Sequence, residues 1–356
     1  MFTVKISLAM IVKNEEKYIE RCIESVKNLV DEIVIVDTGS TDNTLNIIKQ
    51  IPNIKLFCYK WSDDFSKARN YSIDKATGDY ILVLDADEYV VEGSKVEFEK
   101  AIVANAIGRI QIESRFKKDN QEYFSSTYVS RFFSKEIRYI GAIHEQLESK
   151  QNRIKLNIRV KHDGYYETQK GDRNIPLLIN QLKNKPNDPY YLFQLGKELR
   201  IKEKYKEAYH FLKIAYELTN KSLPYYEELV LEMINSGKEF GEIELLKIID
   251  ENESEMANIS DFHFAKGMFY MNYCIQNPKS SNIFVNKIEK SLLNCLKTHE
   301  KSYEYVKGTS SYLAAFNLGV YYEVTGDIEK AKNFYKLASS DGFNLAMKRY
   351  KELTTQ

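Results

Sequence analysis

Proline is scarce in this chain, six residues in 356, and there are only four cysteines and one tryptophan. With no low-complexity stretch either, the sequence leaves little room for extended linkers or disorder away from its termini. Cys22, Cys58, Cys274 and Cys295 are scattered and show no Cys-x-x-Cys spacing, which argues against a zinc site or a disulfide framework. Free thiols on helix or strand faces are expected instead. Net charge is also missing, because 51 Lys and Arg balance 51 Asp and Glu. Nothing therefore drives sequence-independent attachment to nucleic acid or to an anionic membrane surface. No run approaches the roughly 18 consecutive apolar residues of a transmembrane helix, and the N-terminus enters an apolar strand without a signal-peptide pattern. The expectation is a soluble, cytoplasmic protein with no nucleic-acid partner and no transmembrane segment.

A chain of this length suggests two domains. Up to about residue 88, apolar strands alternate with helical stretches, the signature of a mostly parallel, Rossmann-like α/β sheet. Strands are predicted at 6–12, 33–36, 53–59 and 79–84. Tyr18, Cys22, Val26 and Leu29 give one face of a helix, and another helix is predicted over 65–76. Residues 110–116 and 123–133 read as β segments around a polar turn at 117–121. Over 153–162 alternation is strict, with Ile154, Leu156, Ile158, Val160 and His162 sharing one parity, so His162 faces the core side at a strand end.

Beyond about residue 171 the pattern is helical and repeats. Leu192, Leu195, Gly196, Leu199, Ala208, Leu212 and Ala215 fit a tetratricopeptide hairpin, and Ala315, Leu318, Gly319, Tyr322, Ala331, Tyr335 and Ala338 fit it again. The stretches between keep helical periodicity but match the template weakly, which predicts irregular hairpins. The division expected is 1–168 for the α/β domain and 169–356 for an all-α, tetratricopeptide-like domain. Stacked hairpins of this kind commonly receive a peptide or protein partner. They also mediate oligomers, so a homodimer is a further expectation.

The chemistry-bearing residues gather at strand ends. The buried run 80–84 stops abruptly at Asp85, Ala86, Asp87 and Glu88, and the strand 33–36 stops at Asp37. Ligands of open parallel sheets bind outside the carboxyl ends of the strands. If the chain stays extended past Leu84, Asp85 and Asp87 point the same way. Mg2+ takes one or two carboxylates and leaves its other positions to water and phosphate oxygens, so a nucleotide-diphosphate site is the first hypothesis. Taken alone, an Asp-x-Asp pair is usually a solvated strand end, and Asp37 is equally readable as a turn acid. Arg69 is either a snorkelling side chain or a guanidinium aimed at a nucleotide. Trp61 reads as a packing anchor. Glu145, after His144, is a surface acid or a proton acceptor, and it is not part of a zinc-protease signature, since no second histidine follows His144 four residues on. His162 is either a satisfied core histidine or a further metal ligand.

As a set these residues resemble the inverting family 2 glycosyltransferases with a GT-A fold. The resemblance covers about residues 5–165. It is carried by the first strand through Asn14 and Glu15, the run from Val36 to Asp42, Asp85-Ala86-Asp87, Trp61, and the block from Asp64 to Asn70. The His144-Glu145 pair, the segment His162, Asp163, Gly164, Tyr165 and the appended repeats further resemble bacterial peptide S-glycosyltransferases of the sublancin type, which modify bacteriocin precursors. The resemblance implies a UDP-sugar donor and Mg2+ or Mn2+. Asp37 would recognise the nucleoside, Arg69 would support the nucleotide, and Ile11, Lys13 and Asn14 would supply contacts around the base. Asp85 would lie beside ribose and metal, Asp87 would hold the metal against the diphosphate, and His162 would complete the metal shell. Glu145 would be the base, with His144 orienting the site. The acceptor would be a peptide or protein, through a Cys thiol or Ser hydroxyl. A cell-envelope glycan or lipid-linked sugar as acceptor, and a noncatalytic repeat scaffold, are the alternatives.

Overall fold

The protein is described here by a computed structural model that covers residues 4–118, 121–163, 171–298 and 306–355, with side chains left out at 116–118, 121–122 and 280–281. It divides into two compact units, Met1–Lys170 and Gly171–Gln356. Gly164, Tyr165 and the centre of the turn expected at 117–121 lie outside the described residues.

The N-terminal unit is built on eight strands, β1 (Ile6–Val12), β2 (Glu32–Asp37), β3 (Ile54–Cys58), β4 (Tyr80–Leu82), β5 (Glu88–Glu92), β6 (Ile107–Lys118), β7 (Gln121–Ser134) and a strand at Arg153–His162, called β10 below. A short two-stranded hairpin, β8 (Tyr139–Ile140) with β9 (Gln146–Leu147), precedes β10. The sheet runs in the order β3-β2-β1-β4-β7-β6-β10-β5. Pairing is parallel among β1, β2, β3 and β4 and between β6 and β10, while β7 and β5 run antiparallel to their neighbours. The carboxyl ends of β1, β2, β3, β4, β6 and β10 therefore share one edge.

Among the described residues, four helices belong to this unit: α1 (Ile19–Val26), α2 (Thr44–Gln50), α3 (Phe65–Lys75) and α4 (Lys95–Val103). Strand parity decides which side chain meets which helix. Leu8, Met10 and Val12 pack with Ile19, Cys22, Ile23 and Val26 of α1, Ile48 of α2, and Phe98 and Ala101 of α4. Ala9, Val34, Ile81 and Val83 point the other way, onto Ile73 of α3 and the β8–β9 hairpin residues Tyr139 and Leu147. Both faces are covered, which is why these strands are apolar without alternation. Strand β5, helix α4 and the two-residue strand β9 were not legible in the sequence. Strand β5 is only five residues long, and α4 was hidden because only Phe98 and Ala101 of its nine residues are buried.

A buried carboxylate ties three parallel strands together below the sheet's other edge. Glu32 accepts from Ser7 Oγ (2.5 Å), Lys55 Nζ (2.5 Å), Thr77 N (2.7 Å) and Thr77 Oγ1 (2.8 Å). Burial alone would raise its carboxyl, but these four donors bring it down to about 2. Gly78 completes the join, because a Cβ there would sit 2.8 Å from the carbonyl oxygen of Lys5 and from the amide nitrogen of Ser7.

The C-terminal unit is all helix: α5 (Gly171–Asn184), α6 (Pro189–Ile201), α7 (Tyr205–Leu218), α8 (Tyr226–Gly237), α9 (Leu245–Asn252), α10 (Ser260–Gln276), α11 (Ser281–Lys297), α12 (Tyr312–Thr325), α13 (Ile328–Ser340) and α14 (Asn344–Thr354). Asp188 caps α6, accepting from Tyr190 N (3.0 Å) and Tyr191 N (3.3 Å), with Pro189 at the first helical position. Gly196 of α6 lies against Leu212 of α7, and Gly319 of α12 against the Tyr335 ring of α13, so the small residue of each pair lets the two helices close. Between these hairpins the repeat is irregular. A 3-10 turn, Lys238–Phe240, follows α8, and Gly241 takes φ 68° before the short α9. Successive hairpins are joined by the pairs Lys197–Glu228, Arg200–Glu232, Lys213–Glu244 and Lys221–Glu255.

The depressed Glu32 carboxyl gives a test of this core. Its contribution is complete above the ordinary carboxylate range and is lost as pH falls from there toward about 2. Glu32→Ala should cost roughly 2–4 kcal/mol at neutral pH, read by urea unfolding of the N-terminal unit. The gap from the parent protein should narrow at acid pH. An equal loss at both pH values would contradict the assignment.

Candidate active site

Strand ends and loops at the shared carboxyl edge, together with α3, carry the candidate residues. Near the end of β1, Ile11 is half-buried and paired with Val36; past the strand, Lys13 is exposed and Asn14 takes a positive φ of 56°. Asn14 N donates to Ser40 Oγ (3.0 Å), and Asn14 Oδ1 accepts from Thr41 N (2.7 Å), which knits the loop after β1 to the loop after β2. Asp37 is buried at the end of β2. Its carboxylate accepts from Gly39 N (2.9 Å) and Ser40 N (3.1 Å), and Gly39 turns at φ 109°.

The acidic run after β4 departs from the extended form expected for it. The ladder ends at Leu82, and Glu88 N donates to Asp85 O (3.0 Å) in a turn over 85–88. Asp85 and Asp87 consequently face different partners. Asp85 Oδ1 accepts from Arg69 Nη2 (2.8 Å) and Asp85 Oδ2 from Arg131 Nη2 (2.9 Å). Asp87 Oδ2 lies 3.1 Å from His162 Nε2, and His162 Nδ1 lies 3.2 Å from Ser114 Oγ. Topology explains the separation. From β4 in the middle of the sheet to β5 at its edge, the chain must pass the ends of β7, β6 and β10. Asp85 meets a side chain of β7, and Asp87 one of β10 backed by Ser114 of β6.

Helix α3 brings Arg69 to the acidic run. Asp64 caps it, accepting from Lys67 N (3.0 Å), and the Trp61 ring packs edge-on against Phe65 at 4.7 Å. Phe65 N donates to Ala142 O (2.8 Å), while the Asn70 amide donates to Tyr139 O (2.9 Å) and accepts from Tyr139 N (2.9 Å). The β8–β9 loop is thus pinned to α3 by backbone-like bonds. This loop carries Gly141 at φ 93° and His144 at φ 49°, and the turn sets Glu145 against Arg69, whose Nε donates to Glu145 Oε1. A positive φ at a histidine is uncommon and costs conformational energy.

Two buried guanidiniums, Arg69 and Arg131, therefore serve three carboxylates, Asp85, Glu88 and Glu145. Burial would raise the Asp85 carboxyl, yet Arg69 and Arg131 hold it well below the usual carboxylate range. Burial, with Asp85 beside it, prevails at Glu88 and pushes that carboxyl up despite Arg131. Burial lifts the Tyr139 hydroxyl to about 12. Cys22 sits under the turn with its thiol pushed well above the ordinary value by burial and by Glu88, Asp85 and Asp87, which marks it as packing rather than nucleophile. Arg69 Nη1 and Arg131 Nε are buried with no hydrogen-bond partner among the described residues. Leaving such a donor unmade costs about 1–3 kcal/mol, and an oxyanion would remove that cost. Arg131 escaped the sequence reading, and Glu88 was read only as the end of the acidic run, without a role. A lone arginine inside a β segment carries no local signal, and only pairing across the sheet reveals it.

Among the described residues, no three His, Cys, Asp or Glu side chains gather into a metal-binding cluster. A divalent cation still fits the donors present. Asp87 and His162 offer one carboxylate and one imidazole side by side, which suits an ion that draws its remaining ligands from diphosphate and water. Asp85 differs, since both of its oxygens are committed to guanidiniums.

Residues 7–153 match the family Glycosyl transferase family 2. The SPbeta prophage-derived glycosyltransferase SunS of Bacillus subtilis (strain 168) is 29% identical over 323 residues, which cover 84% of this chain and 75% of SunS. A TPR repeat-containing protein of Synechococcus elongatus is 32% identical over 227 residues, 59% of this chain and 56% of its own length. A crystal structure of S. aureus TarS 1–349 aligns over 84% of this chain and 93% of that one at 17% identity, with a TM-score of 0.31, too low a superposition to carry a conclusion. Residues 7–153 of the N-terminal unit carry a glycosyl transferase family 2 domain, and the chain is similar to a known glycosyltransferase over most of its length. Tetratricopeptide-like hairpins follow it. No helix among the described residues is long and apolar enough to cross a membrane.

Arg69 is the shared partner of Asp85 and Glu145, so its removal should be felt beyond its own contacts. Arg69→Met leaves two carboxylates short of a buried cation and should destabilise the N-terminal unit by about 3–5 kcal/mol, measured by denaturant unfolding. A loss near that of an exposed pair, about 1 kcal/mol or less, would show that the cluster is solvated.

Proposed function

We propose that the protein is a metal-dependent, inverting hexosyltransferase that moves a sugar from a UDP-sugar to a peptide or protein acceptor, with Mg2+ or Mn2+ held by Asp87 and His162. The observation that carries this reading is Arg69 bridging Asp85 and Glu145, because it links the acids beside the donor to a carboxylate suited to the acceptor. Acids alone repel a diphosphate, and a cation between them and the phosphates reverses that sign. When bound, the ion supplies Lewis-acid stabilisation of the charge that builds on the departing UDP.

The chain's own groups do the rest. Asp37 and the loop knitted by Asn14, with Ile11 and Lys13, form the nucleoside end, and Arg69 neutralises charge near the phosphates. Asp85, fixed by two guanidiniums, faces the ribose side, and each of its oxygens keeps a lone pair beyond the one that Arg69 or Arg131 uses. Glu145 uses Oε1 for Arg69 and leaves Oε2 to take the acceptor proton, while His144 orients the sugar or the loop. A base on the face opposite the leaving UDP favours one displacement with inversion. The helical hairpins are assigned to the acceptor, for which a Cys thiol or Ser hydroxyl of a bacteriocin precursor is the leading candidate. A thiol ionises more readily than a hydroxyl and asks less of Glu145.

Calorimetry with UDP and Mn2+ tests the donor half. The protein should bind, and Asp87→Ala should weaken binding by about tenfold or more. No binding by the parent protein would favour a noncatalytic scaffold. Glu145→Gln should keep UDP affinity yet slow transfer by about 10²–10⁴-fold. Mass spectrometry of Cys- and Ser-containing precursor peptides incubated with UDP-sugars reads the acceptor, and transfer to carbohydrate alone would exclude the peptide version.

A further inference from the structure

We propose that Arg131 is a positioning residue of this transferase, holding the 85–88 turn so that Asp85 meets the donor and Asp87 stays beside His162. The inference rests on the donor site assigned above.

Arg131 stands at a break in the sheet. In the β6–β7 ladder Gly108 pairs with Phe132, and the next residue, Arg109, pairs with Ser130, so Arg131 is skipped there, and it has no opposite residue in the β4–β7 ladder either. Such a bulge re-aims a side chain at the expense of a ladder position. The Arg131 carbonyl still extends the β4 side of the ladder, accepting from Val83 N (2.9 Å), while its side chain turns to the acidic run.

That side chain closes a ring. Arg131 Nη2 donates to Asp85 Oδ2 (2.9 Å) and to Glu88 Oε1 (2.7 Å), and Glu88 Oε2 accepts from Asp85 N (2.9 Å). Asp85 is thereby gripped through its side chain and its backbone at once, with Arg69 fixing the other carboxylate oxygen. Both Arg131 and Glu88 are buried. A well-packed apolar pair of similar volume would give equal or greater stability than a buried ion pair, so stability alone does not call for these charges. What they supply is a fixed turn. Ala86 is buried inside it, and Asp87 leaves it directly before the Glu88–His162 pairing of β5 with β10.

The test separates position from burial. Calorimetry with UDP and Mn2+ on the full chain would compare the parent protein, Arg131→Gln, Arg131→Lys and the double variant Arg131→Gln with Glu88→Gln, each well below its melting midpoint. Arg131→Gln strands the Glu88 carboxyl and should melt earlier. The double variant contains no stranded charge and should regain most of that loss. Its UDP affinity should nevertheless stay about tenfold or more below the parent's, with Arg131→Lys between the two, because an ammonium has donors for both acids but sits on a shorter side chain than the Nη2 that serves them. Double-variant affinity within about twofold of the parent's would overturn the proposal and leave Arg131 as the counter-charge of Glu88. A parent protein that binds no UDP would instead remove the donor site, and the inference with it.

Discussion

The Asp85 carboxylate, held between Arg69 and Arg131, is the contact on which the rest of the N-terminal unit converges. Charges are expensive to bury, and they stay ionised here only because each faces an opposite charge at hydrogen-bond distance. That requirement sets the geometry of three otherwise independent pieces. Helix α3 must present Arg69, strand β7 must break its register to present Arg131, and the chain after β4 must turn rather than run on. The β8–β9 loop then follows α3, because Asn70 binds the Tyr139 backbone in both directions.

The acidic segment works because of the path it takes. Crossing the ends of β7, β6 and β10 on its way to β5, it offers Asp85 and Glu88 to Arg131 and Asp87 to His162. A longer or freer loop would bring the same residues near one another without fixing them. Short connections between sheet positions so far apart leave the segment little slack, which is the usual way a fold holds a functional loop rigid.

Much of this architecture was legible beforehand. Strand β1 matches its expected bounds, the helix over 65–76 matches α3 to within a residue, and the two hairpins built around Gly196 and Gly319 fall on α6–α7 and α12–α13. These are periodic signals, and period is a local property. Strand β5 and helix α4 were missed because one is too short and the other buries too few residues for a period to show. The parity argument for Asp85 and Asp87 failed for a different reason. It assumed an extended chain where an Asp85–Glu88 turn is stabilised by Arg131, a residue far along the sequence.

By itself the sequence determined the alternation of strands and helices, the carboxyl edge on which Asp37, Asp85 and His162 stand, and the repeats of the second unit, because each follows from side-chain period and chain order. Only the tertiary structure decided which acid meets which partner. Arg131 with Asp85 and Glu88, Arg69 with Glu145, and Ser114 behind His162 depend on strand order, one bulge and one turn. Those are set by long-range pairing energies that no stretch of neighbouring residues contains.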